Sequence, residues 1–191
     1  MRNNIKWVGA IFLAVTIIEI INILSGRSLN YFGLVPRSID HLPHIFTAPL
    51  LHGSIWHFLS NIVTLCVFSF LLLQYGVKTY LKVTLTIIVT TGFAVWLFAR
   101  GGNHLGASSV IYGYFGFLLL AGFISKQFVR LMISIFVGLV YGGLIFGVLP
   151  QGMYISWESH LFGFLFGIMA AKIWAHTPNP ITDRQAVSKN S

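Results

Sequence analysis

Gly106-Ala107-Ser108-Ser109-Val110-Ile111-Tyr112-Gly113-Tyr114-Phe115-Gly116 opens an apolar run that continues to Ser125. A second run opens Glu158-Ser159-His160-Leu161-Phe162-Gly163-Phe164-Leu165-Phe166-Gly167. Both runs are close to the roughly 20 apolar residues that a helix needs to cross a 30 Å hydrocarbon layer. Each sets one polar group of chemical consequence at its head, a hydroxyl at Ser108 and an imidazole at His160. Such groups are costly at membrane depth and mark function when they occur there. A base beside a hydroxyl is the least equipment that makes serine nucleophilic.

Composition sets the frame around these runs. The 191 residues are 56% hydrophobic and 8% charged, with a mean hydropathy of +0.82. Soluble domains carry roughly 25% charged residues, so the chain is an integral membrane protein with no room for a second soluble domain. Net charge is +8, but the basic residues recur singly or in pairs between apolar runs. That pattern sets topology and excludes a nucleic-acid-binding patch. Cys66, the single cysteine, lies inside an apolar run and reads as a buried structural thiol. The first apolar run has no small-residue cleavage site soon after it, which makes it a retained span and not a signal peptide.

Working outward, six spans are expected, near 7–25, 55–74, 80–99, 108–125, 128–149 and 157–175. The five tryptophans, Trp7, Trp56, Trp96, Trp157 and Trp174, fall at span ends, as an interfacial aromatic belt requires. With the N-terminus inside, the inner segments hold Arg2, Lys6, Lys78, Lys82, Lys126, Arg130, Lys172, Arg184 and Lys189, against Arg27, Arg37 and Arg100 outside. The positive-inside rule therefore predicts that both termini are cytoplasmic. Between about Gly26 and Ile55 lies an outer segment with Pro36, Pro43, Pro49 and scattered apolar residues. It is too hydrophobic for a solvated linker and too broken for a span, so a structured loop lying in the interface is expected. Residues 1–177 form the expected transmembrane domain and 178–191 a polar cytoplasmic tail.

On this topology the second, fourth and sixth spans enter from the outer side, and their first turns hold His57 with Asn61, Ser108, and His160. Ser108, Tyr112 and Gly116 share one helical stripe; His160, Gly163 and Gly167 share another. The Gly163–Gly167 pair is a GxxxG, which permits close approach of helix backbones. Packed together, the stripes bring the hydroxyl and imidazole within hydrogen-bonding reach. No carboxylate completes a triad: Glu158 points to another side of its helix, Asp40 lies in the loop and Glu19 within the first span. The reading is a Ser108–His160 dyad, with His160 as general base and then general acid. Tyr112 either restricts the imidazole or packs in the ordinary way. His57, Asn61 and the Ser108 backbone N–H, free at a helix N-terminus, are candidate oxyanion donors. Asn61 serves equally well as an interhelical hydrogen-bond donor. The loop Gly101-Gly102-Asn103-His104-Leu105-Gly106 lets the chain dip inward ahead of Ser108.

These motifs resemble those of the rhomboid intramembrane serine proteases, across all six spans. Gly106-Ala107-Ser108-Ser109 is similar to the family's GxSG, His160…Gly163…Gly167 to its HxxGxxxG, and His52…His57…Asn61 to its HxxxxHxxxN. Phe32-Gly33-Leu34-Val35-Pro36 and Phe46-Thr47-Ala48-Pro49-Leu50-Leu51-His52-Gly53 resemble its large first loop. The resemblance implies an all-α, six-helix rhomboid bundle, a Ser108–His160 dyad, oxyanion donors at His57, Asn61 and the Ser108 amide, and supporting roles for Tyr112, Gly106, Gly163 and Gly167. It also implies cleavage of transmembrane-helix protein substrates in or near the membrane, at a site opening to the outer side. Three positions depart from the pattern: Ser109 replaces the motif's second glycine, Pro43-His44 replaces a Trp-Arg pair, and Ser159 replaces an alanine. The alternative is a catalytically silent relative that binds client transmembrane helices, although such relatives usually lack one dyad member. No HExxH and no acidic cluster is present, so neither a metal nor another cofactor is expected. Lipid is the expected surrounding, in a cell membrane, and nucleic acid is not an expected partner.

Overall fold

The computed structural model describes residues 2–150, 152 and 155–176; the tail expected at 178–191 lies outside them. Among the described residues there are six α-helices: α1 (Arg2–Leu24), α2 (Ile55–Leu72), α3 (Val77–Phe98), α4 (Ser108–Ser125), α5 (Phe128–Tyr141) and α6 (Trp157–Trp174). α1 to α5, with the short 3-10 turns that extend α2 and α5, are long and apolar enough to cross a membrane. α6 has a span's length of 18 residues, but Glu158, Ser159, His160 and Lys172 lower its hydropathy. This is therefore an all-α, multi-pass membrane bundle.

α4 is its central helix. From Val110 to Leu118 every residue of α4 is buried, and it packs against α6, α5, α2 and α3. Phe68, Leu72, Val83, Ile87, Phe115, Phe117 and Leu118 fill the core around it. The closest seam is α4 against α6. A side-chain carbon on Gly163 would collide with the Ser109 carbonyl and approach the Gly113 nitrogen, and one on Gly167 would collide with the Gly113 carbonyl. From the other direction, Gly116 faces the Phe164 carbonyl. The two stripes read from the sequence do meet, with Ser109 and Gly113 as additional contact points.

One element differs from expectation. The fifth span was read as one helix over 128–149, but α5 ends at Tyr141 and continues as a 3-10 turn over Gly142–Val148. Consecutive Gly142 and Gly143 lower helix propensity there, and the tighter turn carries Gly147 toward α6.

The segment before α2 is folded, as expected, from three short 3-10 turns at Ser28–Phe32, Leu42–Ile45 and Ala48–Leu50. Tyr31, Phe32, Ile39 and Phe46 remain exposed on it, which suits a lipid interface. Trp96 Nε1 donates to the Ser38 carbonyl at 2.8 Å, and Arg37 Nη1 donates to the Ala99 carbonyl at 2.7 Å. Ile45 packs into the gap left by Gly92 on α3. Where Pro43-His44 replaces the Trp-Arg pair, His44 Nδ1 lies 3.1 Å from the Gly33 carbonyl, which His41 Nδ1 also meets at 3.0 Å. The loop is thus tied down by other groups.

The α4–α6 seam generates a prediction. Gly167→Val puts branched carbons against a backbone carbonyl that no rotamer change relieves. We expect it to destabilise the bundle by about 3 kcal/mol, read as a lower unfolding midpoint in detergent, whereas Gly9→Ala, which faces open space within α1, does not lower the midpoint.

Candidate active site

Three helix starts converge at one end of the bundle. Ser54 begins α2, its hydroxyl accepting the His57 backbone N–H at 3.1 Å, an N-cap that satisfies one of the helix's free donors. Ser108 is the first residue of α4, preceded by Gly106 at φ +120°. His160 lies in the first turn of α6. A cavity of about 730 Å³ is lined by His57, Asn61, Ser108, Tyr112 and His160, and it gathers the serine, both histidines, the asparagine and the tyrosine singled out in the sequence.

The imidazole of His160 is held on two sides. Its ring stacks on Tyr112, with centroids 4.2 Å apart and planes 7° from parallel. Its Nδ1 lies 3.0 Å from the Gly147 carbonyl oxygen. A carbonyl can only accept, so Nδ1 carries the proton and Nε2 keeps a lone pair. That tautomer is the one a general base needs. Gly147 also abuts the Tyr112 hydroxyl, where any side chain would collide. Gly147 was not singled out in the sequence, since a glycine in an apolar run gives no sign of contacting an imidazole.

Ser108 is partly exposed, and its hydroxyl makes no hydrogen bond among the described residues. His160 and Ser108 thus share one cavity wall without being joined by a hydrogen bond. The Ser108 backbone N–H has no partner among the described residues either, as the N-terminus of a helix leaves it.

Gly106 explains how α2 meets this turn. A Cβ there would stand 2.6 Å from His57 Cε1 and 2.7 Å from Nε2, with Asn61 Nδ2 at 3.8 Å. Only a residue with no side chain, and free to adopt positive φ, lets the His57 ring lie against the chain just before Ser108. Asn61 donates one amide hydrogen to the His57 carbonyl at 2.9 Å, which leaves the other for a second acceptor. That partner is on its own helix, not on a neighbour.

A polar chain locks the α3–α4 loop to the start of α6. His104 Nε2 meets the Arg100 carbonyl at 3.0 Å, and its Nδ1 lies 2.5 Å from Ser156 Oγ. With Nε2 protonated, Nδ1 accepts from Ser156, whose oxygen lies 2.6 Å from Ser159 Oγ and accepts in turn. Arg100 Nε pairs with Glu158 Oε1 at 3.0 Å, so Glu158 faces away from His160, as its spacing requires. The loop also pairs with the segment before α2, through Leu34 and His104, whose N–H groups donate to each other's carbonyls at 2.9 and 2.8 Å. Ser159, which stands where the family pattern has an alanine, is part of this chain. Ser109, in place of the motif's second glycine, and Ser108 line a smaller cavity of about 30 Å³ behind the turn, with His104, Ser156 and Ser159. Its volume is enough for a water.

The chain matches the Rhomboid domain family over residues 39–176. It belongs to the rhomboid family. Uncharacterized proteins of Mycobacterium tuberculosis (strain H37Rv) and Mycobacterium bovis are each 34% identical to it over 164 residues, covering 81% of this chain and 68% of the relative. One from Mycobacterium leprae is 32% identical over 188 residues, covering 89% of this chain and 73% of the relative. In this rhomboid His57, Asn61, Ser108, Tyr112 and His160 line a single cavity.

Beneath His57, His52 has no exposed surface and lies in the loop before α2. Burial above all, then the neighbouring His57 and Arg27, pushes its imidazole from 6.5 down to about 4. It is therefore neutral near pH 7, and the approach of Glu19 Oε2 to 3.8 Å is a polar contact and not an ion pair. Because the unfolded chain binds this proton first, stability falls as pH drops from 6.5 to about 4 and is level below that. The His52 share is on the order of 3 kcal/mol. We expect the detergent unfolding midpoint to decline across that window, and His52→Asn to remove part of the slope.

Proposed function

We propose that this rhomboid is an intramembrane serine endopeptidase working through a Ser108–His160 dyad. The observation that carries the reading is the state of His160. Its Nδ1–H is engaged by the Gly147 carbonyl and its ring by Tyr112, so its basic Nε2 is left for the cavity that Ser108 also lines. An imidazole fixed in that tautomer, with a free hydroxyl beside it, suits base-assisted attack better than client binding, which needs neither.

In the reaction His160 Nε2 takes the Ser108 proton as Oγ attacks the scissile carbonyl carbon. The carbonyl oxygen becomes an oxyanion, and the Ser108 N–H, the His57 ring N–H and the second amide hydrogen of Asn61 are the donors that neutralise it. Collapse breaks the C–N bond while His160 returns the proton to the leaving amine. A water, deprotonated by the same imidazole, then releases the acyl chain from Ser108. Substrates are transmembrane segments of other proteins. A regular helix hides its carbonyls in i to i−4 bonds, so cleavage is expected where helix-breaking residues unwind the segment and small residues fit the crowded turn at Ser108. The distribution of Lys and Arg supports a cavity that opens on the extracytoplasmic side of a cell membrane, with both termini in the cytoplasm.

Ser108→Ala, reconstituted in lipid vesicles with a model transmembrane substrate, should lower cleavage about 1,000-fold or more with its unfolding midpoint unchanged. Mass spectrometry of the products locates the cut. Wild-type protein should be labelled by a fluorophosphonate at Ser108 and His160→Ala should not. Full activity in Ser108→Ala, or labelling that ignores His160, would overturn the dyad.

A further inference from the structure

α1 buries three residues along its whole length: Val15, Glu19 and Asn22. They form one stripe, and two of the three are polar. Glu19 is 1% exposed, and a carboxylate at that burial requires partners. Arg27 supplies the first. Just past the end of α1 the chain turns through Arg27 in the left-handed region, at φ 64°, which brings the guanidinium back over the helix. Its Nη2 lies 3.1 Å from Glu19 Oε1, and its Nη1 donates to the His52 carbonyl at 2.5 Å. Asn22 Nδ2 donates to Asn30 Oδ1 at 2.9 Å and approaches the same His52 carbonyl at 3.4 Å.

This cluster converges on His52, and His52 leads to the cavity. Its ring stands edge to face with His57, with centroids 5.2 Å apart and planes at 83°. His57 in turn rests against Gly106, two residues before Ser108. α1 packs principally against α2 and the loop, so the cluster is its connection to the catalytic end of the bundle. A histidine ring is free to swing about two torsions unless something stands behind it, and His52 is what stands behind His57.

We propose that Glu19 and Arg27 are positioning residues for the oxyanion side of the site, holding His52 against His57 so that the His57 ring N–H is aimed at the oxygen of the tetrahedral intermediate. The assignment rests on the protease reading above. Neither residue touches substrate. The charged and titratable groups on the sides of His57 are Glu19 and Arg27 from the α1 side, His52 from the loop, and Tyr112 of α4 with His160 of α6 across the cavity.

The test uses the full chain in lipid vesicles. In Glu19→Gln, kcat on a transmembrane peptide substrate should fall about ten-fold, less than the loss from removing an oxyanion donor outright, with KM within about two-fold. The His57 ring resonances, followed by NMR of histidine-labelled protein, should shift and broaden in Glu19→Gln as the ring loses its fixed orientation. Arg27→Lys keeps the charge and loses the fork, so the same resonances should move while kcat falls. A purely structural role predicts loss of activity only in proportion to unfolded protein, with the His57 resonances of the folded protein unmoved. Unchanged kcat and His57 resonances in folded Glu19→Gln would overturn the proposal; should that variant not fold, unchanged kcat in Arg27→Lys would do the same. If the wild type cleaves nothing, the protease reading fails by itself, and the resonances still decide whether Glu19 positions His57.

Discussion

The close contact between α4 and α6 is the constraint on which the rest of this rhomboid depends. Backbones in lipid gain nothing from the hydrophobic effect when they associate. They approach because Gly116, Gly163 and Gly167 leave no side chain between them and let carbonyls of one helix face the bare Cα atoms of the other. Ser108 and His160 are carried at the heads of these two helices, so their separation is set by a rigid seam and not by a loop. The supporting groups follow from it: Tyr112 is on the α4 face that meets α6, which is why it lies parallel to the imidazole.

Around that seam the fold closes the remaining freedom from three directions. The 3-10 turn after α5 brings the Gly147 carbonyl to His160 Nδ1 and decides the tautomer. The chain of His104, Ser156 and Ser159 ties the loop ahead of Ser108 to the start of α6. α2 brings His57 and Asn61 against Gly106. The first two contacts are polar and the third is a close approach that only a glycine allows, and all three lie near helix ends, where backbone and capping groups are free to take part. The interior of the bundle, by contrast, is apolar around Phe68, Leu72, Phe115 and Phe117.

Much of the fold was readable because the physics that sets it is local. A helix in lipid must satisfy its own backbone, so apolar runs became helices, and α4 begins and ends at the residues expected, Ser108 and Ser125. The stripes carrying Ser108 and His160 followed from helical spacing alone. The 3-10 turn at Gly142–Val148 was not readable, since hydropathy does not distinguish one helix type from another, and with it went Gly147. The buried cluster of Glu19, Arg27 and His52 was missed for a related reason. A glutamate in a first span shows its partners only when the chain folds back, and Arg27, eight residues on, reaches it through a left-handed turn.

What the sequence by itself determined is the set of helices, their polar residues and the family, because these depend on short-range spacing and on transfer from water to lipid. What the tertiary structure decided is which atoms face one another: the carbonyl that fixes the His160 proton, the glycine that admits His57, and the carboxylate beneath His52. Those contacts join residues far apart in the chain, where the direction of a side chain depends on how neighbouring helices are rotated, and no local pattern encodes that rotation.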